Sequence, residues 1–135
     1  MISDKTSLGG FSLIELLVVI TIISSLGALV GPSLFKQVNK IQVVSDEKKL
    51  LQILKQLSHK AFLSGKPITI QLKHKELGYF YSDEPSNYVQ KDFTFIQFSE
   101  QTLRLNENGF IQPNSVQMVS VSDIRYLNIA EVNAL

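Results

Sequence analysis

GGFSLIELLVVITIISSLGALVGP, residues 9–32, is the stretch on which the reading of this chain turns. Residues 11–30 are twenty in number and carry one full charge, Glu15. At about 1.5 Å of rise per helical residue they reach roughly the 30 Å of a hydrocarbon core. The stretch therefore predicts a helix able to cross a bilayer. Glu15 stands four residues past Phe11, about 6 Å along such a helix. Acidic groups cost roughly 2.5 to 3.5 kcal/mol at the centre of a span, so this carboxylate either reaches back to the interface or has a partner or a function.

The residues upstream of the run weigh on that choice. A secretory signal passes from a basic start through an apolar core to a small-residue cleavage site. Here polar residues 1–8 come first, Gly9 and Gly10 next, and the apolar run last. A cut after Gly10 would leave the apolar helix on the mature protein. This inverted order, with Gly10, Phe11, Glu15 and Pro32 in place, closely resembles the type III signal of type IV pilins and type II secretion pseudopilins. The resemblance implies cleavage of the Gly10-Phe11 bond by a prepilin peptidase and methylation of the new amino terminus. It also implies that Glu15 meets the cationic amino terminus of a neighbouring subunit during assembly. Desolvated opposite charges attract strongly, and removing one strands the other at a cost of about 3 to 5 kcal/mol.

Length and composition bound the rest. The chain has 135 residues, a net charge of +1 and no cysteine. That leaves space for one modest soluble domain, selects no partner by charge, and excludes disulfides, thiolate metal sites and cysteine nucleophiles. Domains near 60 residues bury only about 60% of their unfolded surface. The helix is therefore expected to lend the soluble part a face.

The flanks of the span conflict with the resemblance. Lys5 precedes it, whereas Lys36, Lys40, Lys48 and Lys49 lie beyond it. The positive-inside rule alone would place the C-terminal side of the span in the cytoplasm, while the resemblance places the leader there and the rest outside. Gly27 and Gly31 form a small-xxx-small pair that permits close helix approach in lipid. Together with Ser24, Ser25 and Pro32 they make this the weakest part of the helix. A kink at Pro32 is expected; the resemblance implies that residues 24–31 can lose helical form in an assembled filament.

Beyond Pro32 the pattern turns amphipathic. Val43, Leu50, Ile53, Leu54, Leu57 and Ala61 make one stripe of a 3.6-residue helix, and Gly65 and Pro67 stop it. The chain thus divides into four segments: leader 1–10, apolar helix 11–32, amphipathic continuation 33–64, and a β head 65–135. In the head Ile68, Ile70 and Leu72 alternate with polar residues as a half-buried edge strand. Residues 78–81 form a short aromatic strand and residues 82–91 a polar loop. Residues 93–98 form a strand with Phe93, Phe95 and Gln97 on one face. Further strands are expected at 102–105, 110–112, 116–121 and 124–129, with a turn at 106–109. The fold class is α+β, a long helix packed on a small antiparallel β domain.

The helix end Leu54 to Gly65, the strand that follows it and the segment LRLNENGF, residues 103–110, also resemble H-type minor pseudopilins of type II secretion and related minor pilins. No catalytic group emerges. His59 and His74 read as solvated surface residues, and Asp83 and Glu84 lack a third partner. Residues 106–109 lack the repeated acidic ligands of a calcium loop and read as a turn. Tyr79, Phe80, Tyr81 and Tyr88 read as core or contact surface. Beyond Lys91 only Arg104 and Arg125 are basic, so the cationic stripe that DNA binding requires is missing. The expectation is a non-enzymatic minor pilin or pseudopilin without cofactor or metal, single-pass in the inner membrane with its head in the periplasm, and incorporated into a filament. Its implied partners are the prepilin peptidase, other pilin subunits, the inner-membrane assembly platform and lipid. The alternatives are a competence pseudopilin in DNA uptake and a monomeric, membrane-anchored β-domain that binds a partner.

Overall fold

A single helix, α1, runs over Leu13–Ser64 and includes Pro32. The computed structural model describes residues 9–119 and 124–133, so most of the expected leader and positions 120–121 of an expected strand lie outside the described residues. Ser12 starts the helix: its Oγ and its carbonyl both accept from the backbone N–H of Glu15, at 3.2 and 3.1 Å. Its C-terminal end is closed by the Gly65 N–H donating to the Phe62 carbonyl at 3.4 Å. The helix continues through Pro32, whose ring removes one hydrogen-bond donor without ending the element. One compact unit of the chain ends at Val38 and a second begins at Asn39.

The second unit holds the core. The expected stripe is buried where it meets the head: Leu50, Leu54, Leu57 and Ala61 lie fully inside, and Val43 and Ile53 are packed against them. Side chains of this size gain roughly 1.5 to 3 kcal/mol each on burial. The strands are β1 (Ile68–His74), β2 (Glu76–Tyr81), β3 (Glu84–Asp92), β4 (Gln97–Leu105), β5 (Ile111–Gln112), β6 (Ser115–Val119) and β7 (Ile124–Asn128). They form one antiparallel sheet in the order β3-β2-β1-β4-β6-β7, with β5 also on β4. Chain and sheet together give a long N-terminal helix plus a small antiparallel sheet, an α+β layout.

β4 explains how two short strands share one edge. It pairs with β6 at Gln97 and Phe98 and with β5 at Arg104 and Leu105. In the gap between, the Gln101 amide stands in for backbone: its Nε2 donates to the Gln117 carbonyl at 2.7 Å and its Oε1 accepts from the Gln117 N–H at 3.1 Å. Buried backbone groups need such partners.

Three sequence expectations are corrected. β1 is interior, between β2 and β4, rather than an edge; its alternation survives because the helix covers only one face. Residues 82–91 are not a loop, since β3 occupies most of them with every residue exposed. A strand bare on both faces shows no period of two, and Pro85 hid it further. The Tyr88 ring from this strand lies over Gly78, where any Cβ would overlap it. Finally, Phe93, Phe95 and Gln97 do not share a strand face. β4 begins at Gln97, Phe93, Ile96 and Phe98 are buried, and Phe95 is 45% exposed.

The cause of that last difference is a clamp from the helix. Asp46 Oδ2 accepts from the backbone N–H groups of Thr94 and Phe95, at 3.1 and 2.8 Å. Lys49 Nζ donates to the Asp92 carbonyl at 3.0 Å and lies 4.9 Å from the centre of the Phe93 ring. Phe93 then meets Phe98 edge to face, with centroids 5.3 Å apart. Asp46→Ala is expected to lower head stability by about 1 to 2 kcal/mol, since two N–H groups lose a charged acceptor. Asp46→Asn, which keeps one acceptor oxygen, should lose less. Denaturant unfolding of the full chain in detergent measures both; equal stability of all three proteins would show that the clamp is idle.

Candidate functional site

The apolar half of the helix is the most unusual surface of the described residues. Gly10 and Phe11 precede the helix, exposed, with Phe11 83% accessible. Glu15 lies in the first turn, also exposed. Leu13, Ile14, Leu17, Ile20, Ile23 and Leu26 are all more than half exposed. The helix is long and apolar enough to cross a membrane, and no part of its most apolar window is buried. An exposed apolar surface of this length needs lipid or other apolar helices around it.

Three of its hydroxyls are matched to such surroundings. The Thr21 hydroxyl donates to the Leu17 carbonyl, Ser25 Oγ to the Ile22 carbonyl at 2.9 Å, and Ser33 Oγ to the Val30 carbonyl at 2.9 Å. Hydroxyls bonded back into their own helix present no unsatisfied donor to hydrocarbon. A Cβ placed at Gly27 or Gly31 would meet nothing within 4 Å, so both leave an open flat beside the backbone. The exposed apolar character runs past Pro32 through Leu34, Phe35, Val38, Ile41 and Val44.

Sequence reading missed one local feature here. Ser12-Leu13-Ile14-Glu15 has the spacing of a capping box, and the N-terminal serine is used as a cap. Glu15 thus sits at a helix start, where the aligned peptide dipoles favour a negative group. This gives it a local role besides any intermolecular one.

His59 and His74 are exposed, far apart in sequence, and among the described residues no three His, Asp or Glu side chains group as metal ligands. Asp83 is taken by Lys66 at 2.8 Å, a bond that holds the Asp83 carboxyl below its ordinary range and raises the Lys66 ammonium. The stabilisation from Asp83 is present at neutral pH and is lost as pH falls through its depressed value, while that from Lys66 is lost only at strongly alkaline pH. Both groups face solvent, so the pair contributes little. In the 106–109 turn Asn106 Oδ1 accepts from the N–H groups of Asn108 and Phe110, at 3.1 and 2.8 Å. That oxygen serves the backbone. Tyr79 and Tyr81 are half-buried against the core, and Lys60 Nζ lies 5.5 and 5.2 Å from their ring centres. Tyr88 is 48% exposed. No family model, no curated protein and no solved structure matches this chain.

Proposed function

We propose that this chain is a non-enzymatic structural subunit of the pilin and pseudopilin kind, cleaved at Gly10-Phe11, held in the membrane by its apolar helix and drawn into a filament through it. One observation carries the reading: a short polar leader, Gly10 and Phe11 stand in that order ahead of a helix that carries Glu15 in its first turn and leaves its described large apolar side chains between Leu13 and Val30 exposed. An apolar helix behind its cleavage site stays with the mature protein, as a filament core requires. The minor, H-type assignment rests on the strand pattern of the head, and the periplasmic placement of the head rests on the resemblance.

The test is the intact mass of the protein recovered from membranes of cells with and without the prepilin peptidase. The expected mature form begins at methylated Phe11 and depends on that enzyme. A chain that keeps residues 1–10 in both strains would overturn the proposal and leave a membrane-anchored β-domain as the better account, because an anchor needs no cleavage.

A further inference from the structure

Of the seven asparagines in the chain, only Asn108 is followed by glycine. In such a pair the glycine backbone nitrogen can attack the side-chain carbonyl carbon of the asparagine, because glycine has no side chain to hinder the approach. A new C–N bond closes a succinimide ring. The asparagine amide nitrogen leaves as ammonia, taking the proton that the glycine N–H gives up. Water then opens the ring at either carbonyl and leaves aspartate or isoaspartate. The step needs no oxidant and no enzyme, only an accessible side-chain carbon and a glycine nitrogen free to turn toward it.

The first condition is met and the second is not. Asn108 is exposed, and its side-chain amide makes no hydrogen bond among the described residues. The nitrogen that would attack is held. The Gly109 N–H donates to the Asn106 carbonyl at 2.9 Å, and the Gly109 carbonyl accepts from Ser58 Oγ at 2.6 Å. Gly109 is buried with φ of 79°, and Ser58 is fully buried in the helix. On either side, Asn106 Oδ1 takes the N–H groups of Asn108 and Phe110, at 3.1 and 2.8 Å. The main chain is therefore tied at each of residues 108, 109 and 110. Bringing the Gly109 nitrogen against the Asn108 side chain turns the peptide plane between them. That turn breaks the bond to Asn106 and moves the Gly109 carbonyl off Ser58.

We propose that Asn108-Gly109 is a self-modification site that the folded head keeps silent and that lifting of the 106–109 turn from Ser58 releases. Local openings of this kind occur well below the cost of global unfolding. Each opening exposes the glycine nitrogen to its neighbour. Isoaspartate, once formed, carries an extra methylene in the main chain, so Gly109 no longer reaches its seat on Ser58. The modification makes the opening permanent and places a negative charge on the surface of the turn. It marks copies of the chain whose seam has opened, and it stands whether or not the chain joins a filament.

The test incubates the full chain in detergent at mildly alkaline pH, with and without concentrated urea, and follows Asn108 by mass spectrometry. The chain has two arginines, Arg104 and Arg125, and no lysine between them, so trypsin releases residues 105–125 as one peptide. Fragmentation by electron transfer separates Asn106, Asn108 and Asn114 within it and tells isoaspartate from aspartate. The expected result is modification at Asn108 first, at least roughly tenfold slower in the folded chain than in urea. Ser58→Ala should raise the folded rate by roughly fivefold, the weight of one hydrogen bond. Asp46→Ala, which loosens the head away from this turn, should leave that rate unchanged. The isoaspartate form should unfold at lower denaturant than the unmodified chain. Equal rates in the folded chain and in urea would overturn the proposal, as would equal acceleration by the two substitutions, which would assign the reaction to general unfolding. Faster reaction at Asn114 than at Asn108, or an isoaspartate form as stable as the parent, would overturn it as well.

Discussion

Glu15→Ala is expected to be cleaved and inserted as the parent chain is, and to be nearly absent from filaments. If Glu15 meets the amino terminus of an adjacent subunit in a site sheltered by apolar helices, its loss strands that cation at a cost of about 3 to 5 kcal/mol. Such a cost lowers incorporation by roughly a hundredfold or more. The structure supplies a rival explanation that must be separated from this one. Ser12 caps the helix through the Glu15 N–H at 3.2 Å, and an acidic side chain in the first turn stabilises a helix start. Losing a cap costs about 1 kcal/mol. Ser12→Ala removes the cap but leaves the carboxylate, so it should lower incorporation only a little. The measurement is the ratio of subunit in sheared filaments to subunit in membranes for each variant, beside the mass of the mature chain. Equal loss from the two substitutions would reduce Glu15 to a local helix stabiliser, and normal incorporation of Glu15→Ala would remove it from assembly altogether.

The parts of this fold that could be read from sequence are those in which one face meets core and the other meets water. Leu50, Leu54, Leu57 and Ala61 repeat at helical spacing because one side of the helix packs on the sheet. Ile68, Ile70 and Leu72 alternate for the same reason in a strand. Where both faces are exposed, as in β3, the pattern has nothing to report. Residues 93–98 misled differently. Their aromatic spacing suggests a strand, yet Asp46, 48 residues before Thr94, holds Thr94 and Phe95 in a bend. No local window contains that constraint. The candidate assembly site was legible because its residues are contiguous, Gly10 to Glu15. Ser12 was legible as a cap by its spacing from Glu15, a signal overshadowed by the carboxylate itself.

Gly109→Ala should cost the head about 2 to 5 kcal/mol, a large share of the roughly 5 to 15 kcal/mol that holds a domain together. Two effects act at one position. The glycine has φ of 79°, in the left-handed region, where an L side chain costs about 1 to 2 kcal/mol. A Cβ there would also stand 2.8 Å from the Ser58 carbonyl oxygen and 2.9 Å from its Oγ. Ser58 is fully buried in the helix and donates its hydroxyl to the Gly109 carbonyl at 2.6 Å, so neither the turn nor the helix can move aside freely. Crowding of a packed site costs about 1 to 3 kcal/mol. Further variants divide the total. Asn adopts left-handed backbone more readily than Ala, so Gly109→Asn should recover part of the backbone cost while keeping the crowding. Ser58→Ala should lose about 1 kcal/mol, the worth of one hydrogen bond. Denaturant unfolding of the full chain in detergent ranks them. A loss below about 1 kcal/mol for Gly109→Ala would mean that the 106–109 turn does not rest on the helix at Ser58. The predicted order, with Ala worst, Asn intermediate and Ser58→Ala mildest, would tie the turn to the helix as a seam on which the head depends.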